Sequence, residues 1–258
     1  ADVALPPLPK DVTFVVDASG SITQSKLTVT ARGLAAALDA LRAEDRFNIV
    51  VFRDTTTTFQ PDLVPATAEY KAAARAFLGG LQARGETDIY KAILPVVQQN
   101  PRPGLPNIVV VITDGHPTVG VRDTRLIING LTADNTRRNS IFAFGGGPTV
   151  NRYMMDLLAY RNKGEAHIAA NVNEIEKELP AFFSRLRDPI LTGISADYGR
   201  VDKREVFPQE IPDFFQGRGV TIYGRFEPER DAEFVMRLTG LAGNQRKEMV
   251  FRADLRRA

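Results

Sequence analysis

The sequence predicts an α/β fold: a doubly wound, mostly parallel sheet with helices on both faces, followed by a small antiparallel β module. Three observations carry this. From Asp11 to Leu186, short β-rich apolar runs alternate with segments whose apolar residues recur at helical spacing. The run from Asn107 to Thr113 is nearly continuously apolar, as a strand covered on both faces should be. From Asp188 onward the apolar period changes to two. The chain therefore divides into a leader (1–10), an α/β domain (11–187) and a β module (188–258).

The leader, ADVALPPLPK, reads as a processed or trimmed end without a signal peptide. Pro6, Pro7 and Pro9 make it extended or turn-like, a strap into the first strand and a candidate strand of the β module. Val12, Phe14, Val15 and Val16 form the first strand, which ends on Asp17. Ser25 to Arg42 has the period of an amphipathic helix, with Leu27, Ala31, Leu34, Leu38 and Leu41 on one face. Phe47 to Phe52 is the second strand, and TTTTFQP a short polar edge strand closed by Pro61. Tyr70 to Leu81 predicts a helix stopped near Gly85. Ile89 to Val97 predicts another, beginning beside Thr87 and ending before Pro101.

After the strand at Asn107, a weaker pattern predicts a helix over Thr124 to Arg138. SIFAFG is the next buried strand. GGGPTVN follows it; without the lysine and spacing of a P-loop, it reads as a tight turn rather than a phosphate cradle. Tyr153, Met154, Leu157 and Leu158 mark a helix and AHIAA the last strand. Ile175 to Leu186 marks the last helix, with Pro180 a potential kink. Beyond Asp188, alternation predicts four strands, marked by Ile190, Ile194 and Tyr198; by Val220, Ile222 and Phe226; by Phe234, Met236 and Leu238; and by Met249, Phe251 and Leu255. A β unit this small is marginal alone, so it should pack on the α/β domain or on strands from elsewhere.

The bulk properties narrow the function. Apolar content of 43% and charged content of 25% are those of a globular domain. With 33 basic and 31 acidic residues the charge is near balance, which argues against nucleic acid as partner. No apolar run reaches the roughly 20 residues of a membrane helix. With no cysteine, the chain has neither disulfides nor a thiolate metal site. Its two histidines, His116 and His167, form no H-x-x-x-H pair.

The candidate site starts at the end of the first strand, where Asp17, Ser19 and Ser21 alternate around the permissive Gly20. One carboxylate and two hydroxyls suit a hard divalent cation; taken alone, they serve equally as a helix N-cap. Thr87 and Asp88 lie at a later helix start, and Asp114 at the end of a second apolar strand. Ligands in open α/β sheets bind at the carboxyl ends of the strands, where Asp17 and Asp114 both fall. A serine nucleophile does not fit, since no G-x-S-x-G elbow is present. A phosphatase using the first Asp as nucleophile needs a second Asp two residues on, and position 19 is Ser. Asp88 reads most simply as a helix-start charge, and His116 as a solvated loop histidine near the rim.

The ordered set D-x-S-x-S, Thr, Asp resembles the metal-ion-dependent adhesion site of the von Willebrand factor A family. It maps onto Asp17, Ser19, Ser21, Thr87 and Asp114. The resemblance covers Lys10 to Leu186. The words VFPQEIPDFFQGRGVTIYGRF beyond it resemble inter-α-trypsin-inhibitor heavy chains and their bacterial relatives. It implies a Rossmann-like sheet with one antiparallel edge strand, which TTTTFQ would supply. It also implies Mg²⁺ at the five residues, with Mn²⁺ or Ca²⁺ as substitutes, and no catalysis. The implied partner is a protein presenting Asp or Glu to the metal, at an extracellular, periplasmic or cell-surface location. A scaffold whose A domain docks intramolecularly on an acidic residue is the alternative, and a Mg²⁺-dependent hydrolase the third reading. On this reading Asp17→Ala abolishes partner binding at little cost to folding, and the β module lies away from the metal rim.

Overall fold

The computed structural model describes residues 5–53, 55–225 and 233–254. Residues 1–4 of the leader, and Phe226 and Leu255 of the expected β-module strands, lie outside the described residues. The α/β part runs β1 (Asp11–Asp17), α1 (Gln24–Ala37), β2 (Arg46–Phe52), β3 (Thr56–Thr58), β4 (Val64–Pro65), α2 (Ala68–Gly79), α3 (Ile89–Val97), β5 (Asn107–Ile112), α4 (Thr124–Asp134), β6 (Ser140–Gly146), α5 (Arg152–Arg161), β7 (Ala166–Ala169) and α6 (Ile175–Ser184). The strand order is β3-β2-β1-β5-β6-β7, with β4 also on β2. β2, β1, β5, β6 and β7 are parallel; β3 and β4 run antiparallel to β2. Thr56–Thr58 is thus the expected edge strand, while the two-residue β4 was not legible in the sequence.

The sheet is covered on both faces, which is why its central strands read as continuous apolar runs. Val12, Phe14 and Val16 of β1 join the core under α1, α2 and α6; the Phe14 ring lies 5.0 Å from that of Phe183. Val15, on the other face, packs with Ile93, Ile127 and Leu131 of α3 and α4. Winding reverses between β1 and β5: β2 and β3 extend to one side, β6 and β7 to the other. This is the switch point at which open α/β sheets bind ligands.

Two helices end earlier than their apolar period suggests. α1 stops at Ala37 and passes through a 3₁₀ turn at Leu38–Ala40. The competing pull is the Asp45 carboxylate, which accepts from Arg42 N at 2.8 Å, Lys10 N at 3.1 Å and Lys10 Nζ at 2.5 Å. Paired in this way, both Lys10 and Asp45 are fully buried. α4 ends at Asp134, short of the expected Arg138. There Asn135 turns its side chain onto Asn139 N, Asn139 O and Asn162 Oδ1, and Arg138 takes a positive φ.

The β module comprises β8 (Pro189–Asp197), β9 (Val206–Phe207), β10 (Phe214–Phe215), β11 (Tyr223–Gly224), β12 (Glu233–Ala242) and β13 (Gln245–Asp254). β10-β8-β12-β13 form an antiparallel four-stranded sheet, and β11-β9 a separate ribbon. Two expectations need correction. Val220 and Ile222 are loop residues packed against the module's core, and Phe214–Phe215 supplies the fourth strand instead. On β8 the inward residue is Leu191, not Ile190. The β8–β12 register shifts between Thr239 and Leu241, opposite Gly193, whose φ is +61°. That bulge restores Ile194 to the buried face.

The module docks where the parallel strands begin. Ser140 Oγ at the start of β6 donates to Asp213 Oδ2 at 3.0 Å. Lys163 Nζ reaches Asp213 at 3.4 Å, and Gly193 N donates to Asp213 Oδ1 at 3.1 Å. Leu8 N donates to Pro189 O at 2.6 Å and Leu5 enters the module's core, so the described part of the leader runs beside β8. These contacts lie at the end of the sheet opposite the carboxyl rim.

Candidate metal centre

The parallel register of β1 and β5 places Val16 against Ile112, so Asp17 and the pair Thr113–Asp114 emerge side by side at the rim. The loop after β1 is bent by two bonds. Ser19 N donates to Asp17 Oδ1 at 3.0 Å, and Ala18 N to Phe52 O at 3.0 Å. Gly20 N donates to Gly85 O at 2.8 Å and Arg84 N to Ala18 O at 3.0 Å, stitching the α2–α3 loop onto the β1–α1 loop. A Cβ at Gly20 would stand 3.0 Å from Gly85 O, so the glycine between the serines permits that approach.

The stitched loop delivers Thr87. Ser19 Oγ lies 2.8 Å from Ser21 Oγ, which lies 3.3 Å from Thr87 Oγ1. The three hydroxyls therefore form one chain beside Asp17. Thr87 is held from the other side: its N donates to Thr118 Oγ1 at 2.8 Å, and its O accepts from Thr118 N at 3.0 Å. Asp114 Oδ1 accepts from His116 N at 3.1 Å, while Asp114 O accepts from Asn151 N at 2.8 Å. Asp17, Ser19, Thr87 and Asp114 are buried, and Ser21 opens to solvent.

Burial pushes the Asp17 carboxyl above its usual range. Hydrogen bonds from Ser19 and Thr113 pull it back, and the nearby Asp114 charge pushes it up further. Thr113, which the sequence reading passed over, donates from Oγ1 to Asp17 Oδ2 at 2.6 Å. Thr113 directly follows β5, and no local pattern marks its bond to Asp17.

The remaining candidates lie outside the cluster. Asp88 caps α3, accepting from Lys91 N at 3.0 Å. His116 is exposed, its Nε2 2.6 Å from Thr149 O in the turn after β6. That turn, with Gly147 at φ +94° and Asn151 capping α5, is a chain reversal. His167 pairs with Glu178 at 2.6 Å on the edge strand β7. Among the described residues no group of three or more His, Cys, Asp or Glu is placed to hold a metal. The rim cluster is of another kind, two carboxylates and three hydroxyls. Such an all-oxygen donor set fits Mg²⁺, Mn²⁺ or Ca²⁺ and lacks the Cys or His ligands around which zinc sites are built.

Residues 10–168 match the family profile described as the von Willebrand factor type A domain. Human inter-alpha-trypsin inhibitor heavy chain H4 is 33% identical over 235 residues, covering 88% of this chain and 25% of that protein. Heavy chain H2 of Sus scrofa is 28% identical over 252 residues, covering 95% of this chain and 27% of its own length. The chain thus spans about a quarter of the curated relatives it matches. Among solved structures, a von Willebrand factor type A protein from Catenulispora acidiphila superposes with a TM-score of 0.70 at 14% identity, over 95% of this chain and 66% of that one. The open form of the pilus adhesin SpaC from Lactobacillus rhamnosus GG superposes with a TM-score of 0.58 at 14% identity, over 95% and 43%. At these identities the superpositions speak to the fold alone.

Proposed function

Because this chain belongs to the von Willebrand factor type A domain family, we propose that it is a metal-dependent protein-binding module whose rim cluster holds Mg²⁺ and, through it, an Asp or Glu of a partner protein. The observation that carries this reading is the hydroxyl chain Ser19–Ser21–Thr87 beside Asp17, with Asp114 one strand away. Asp17 and Asp114 supply the negative charge. Ser19, Ser21 and Thr87 supply neutral oxygens, which leave the ion electron-poor and receptive to an anionic ligand. Mn²⁺ and Ca²⁺ fit the same donors.

Ser19, which carries no carboxyl, occupies the position where a phosphatase would need its acid. A binding role therefore stands ahead of a hydrolytic one. No helix among the described residues is long and apolar enough to cross a membrane. An extracellular, periplasmic or cell-surface setting is part of the proposal and rests on the kinship with the heavy chains.

Two measurements test it. Mg²⁺ should raise the melting temperature of the chain, with EDTA reversing the shift. A carboxylate-bearing partner held in Mg²⁺ should be released by EDTA. Partner binding that is indifferent to EDTA and to Asp17→Asn would move the binding surface elsewhere.

A further inference from the structure

We infer that β13 is the two-fold interface of a homodimer, in which two copies join antiparallel, edge to edge, about Val250. β13 is ten residues long, contains neither Pro nor Gly, and pairs with β12 without a bulge. Among the described residues β12 is its only strand partner. At about 3.4 Å per residue it presents an edge of about 34 Å. Proteins normally shorten, break or cover an edge of that kind. Val250 and Phe251, near its middle, are 46% and 47% exposed.

Hydrogen-bond geometry restricts how a second copy can join. The two-residue turn Gly243–Asn244 makes Ala242 and Gln245 a bonded pair. Bonded and non-bonded pairs then alternate along the ladder. Arg246, Glu248, Val250, Arg252 and Asp254 therefore point their backbone N–H and C=O groups toward the open edge. A second antiparallel copy must set these residues opposite one another.

Charge then selects the register. With Val250 opposite its own copy, Glu248 faces Arg252 of the second copy and Arg246 faces its Asp254. On the inner face, Met249 faces Phe251 of the second copy. By symmetry each contact occurs twice. Sliding the second copy by two residues one way sets Glu248 against Asp254; sliding it the other way sets Arg246 against Arg252. Like charges directly opposite are destabilising and opposite charges stabilising. Charge thus favours one register over its neighbours, and in it Val250 meets Val250 and Met249 meets Phe251. The occupant that fits this edge is a second copy of the chain.

Sedimentation equilibrium of the full chain tests the inference. The chain should sediment as a dimer at micromolar concentrations and above. Val250→Pro should be monomeric and folded, because the N–H it removes points to the open edge and takes no part in pairing with β12. Arg252→Glu should weaken the dimer about tenfold, and Glu248→Arg added to it should restore dimerisation. Circular dichroism matching the parent chain would confirm that each variant folds. A parent chain that stays monomeric, a Val250→Pro variant that still dimerises, or a double swap that does not recover would each overturn the inference.

Discussion

Thr113 Oγ1 donates a 2.6 Å hydrogen bond to Asp17 Oδ2 across the switch point between β1 and β5. The same oxygen accepts from Gly115 N at 3.1 Å. The hydroxyl is thus fixed by the loop that carries Asp114, and it fixes one oxygen of Asp17 in turn. Thr113 is a positioning residue, since it acts through Asp17.

Thr113→Val keeps the shape and removes both bonds. Outer-shell partners of metal ligands are typically worth 10–100-fold in affinity. Calorimetric titration with Mg²⁺ should show a loss of about tenfold for Thr113→Val and recovery in Thr113→Ser. Unchanged Mg²⁺ affinity in the valine variant would show that Asp17 is oriented without Thr113.

Asp17 is best tested with asparagine. The sequence alone suggested that alanine there would cost little folding. In the structure Asp17 accepts from Ser19 N and from Thr113 Oγ1. Alanine would strand both donors in a buried site, at about 1–3 kcal/mol for each. Asparagine keeps an acceptor oxygen for Ser19 N and removes the charge that burial and Asp114 penalise. In EDTA, Asp17→Asn should melt no lower than the parent chain; in Mg²⁺ it should gain none of the parent's stabilisation. A Mg²⁺ shift equal to the parent's would remove Asp17 from the ligand set.

Acidity should act in opposite directions on the metal-free and metal-bound chains. Burial raises the Asp17 carboxyl above its unfolded value. Between the unfolded pKa, about 3.9, and the raised folded value, the folded chain holds more proton than the unfolded one. The contribution of Asp17 to metal-free stability therefore falls as pH rises through that window. Mg²⁺ needs the carboxylate, so its stabilisation should shrink as pH falls through the same window. Urea melts in EDTA and in Mg²⁺ across that range should diverge with rising pH. Asp17→Asn should abolish the divergence.

What the sequence disclosed follows from how local each signal is. Asp17, Ser19, Ser21 and Asp114 could be singled out as candidates because the first three are neighbours and Asp114 follows an apolar strand, whereas Thr87 reaches Ser21 across 66 residues. Asp114 and Asp17 then meet through the parallel register. Thr113 was not legible, because its bond to Asp17 spans 96 residues and a threonine at a strand end looks ordinary. The early ends of α1 and α4 were hidden for a similar reason. Asp45 and Asn135 act by side-chain bonds that compete with helix, and apolar period does not record them. In the β module, the bulge at Gly193 switches the phase of β8, so simple alternation chose Ile190 over Leu191.

Asp213 ties the β module to the α/β domain and should be separable from the rim. Its carboxylate accepts from Ser140 Oγ on β6, from Gly193 N at the β8 bulge and from Lys163 Nζ. Asp213 and Lys163 are both buried. Asp213→Ala leaves that lysine charge without its acid and the Ser140 hydroxyl without its acceptor. Breaking a buried pair from one side costs about 3–5 kcal/mol, and urea unfolding should show a loss of that order. Amide exchange should locate it: β8 and β10 should lose protection while β1 and β5 keep theirs. The hub sits where the parallel strands begin and the rim cluster where they end, so Mg²⁺ affinity at temperatures below melting should remain at the parent value. A fall in Mg²⁺ affinity in Asp213→Ala would mean that docking of the β module is coupled to the rim along the length of the sheet.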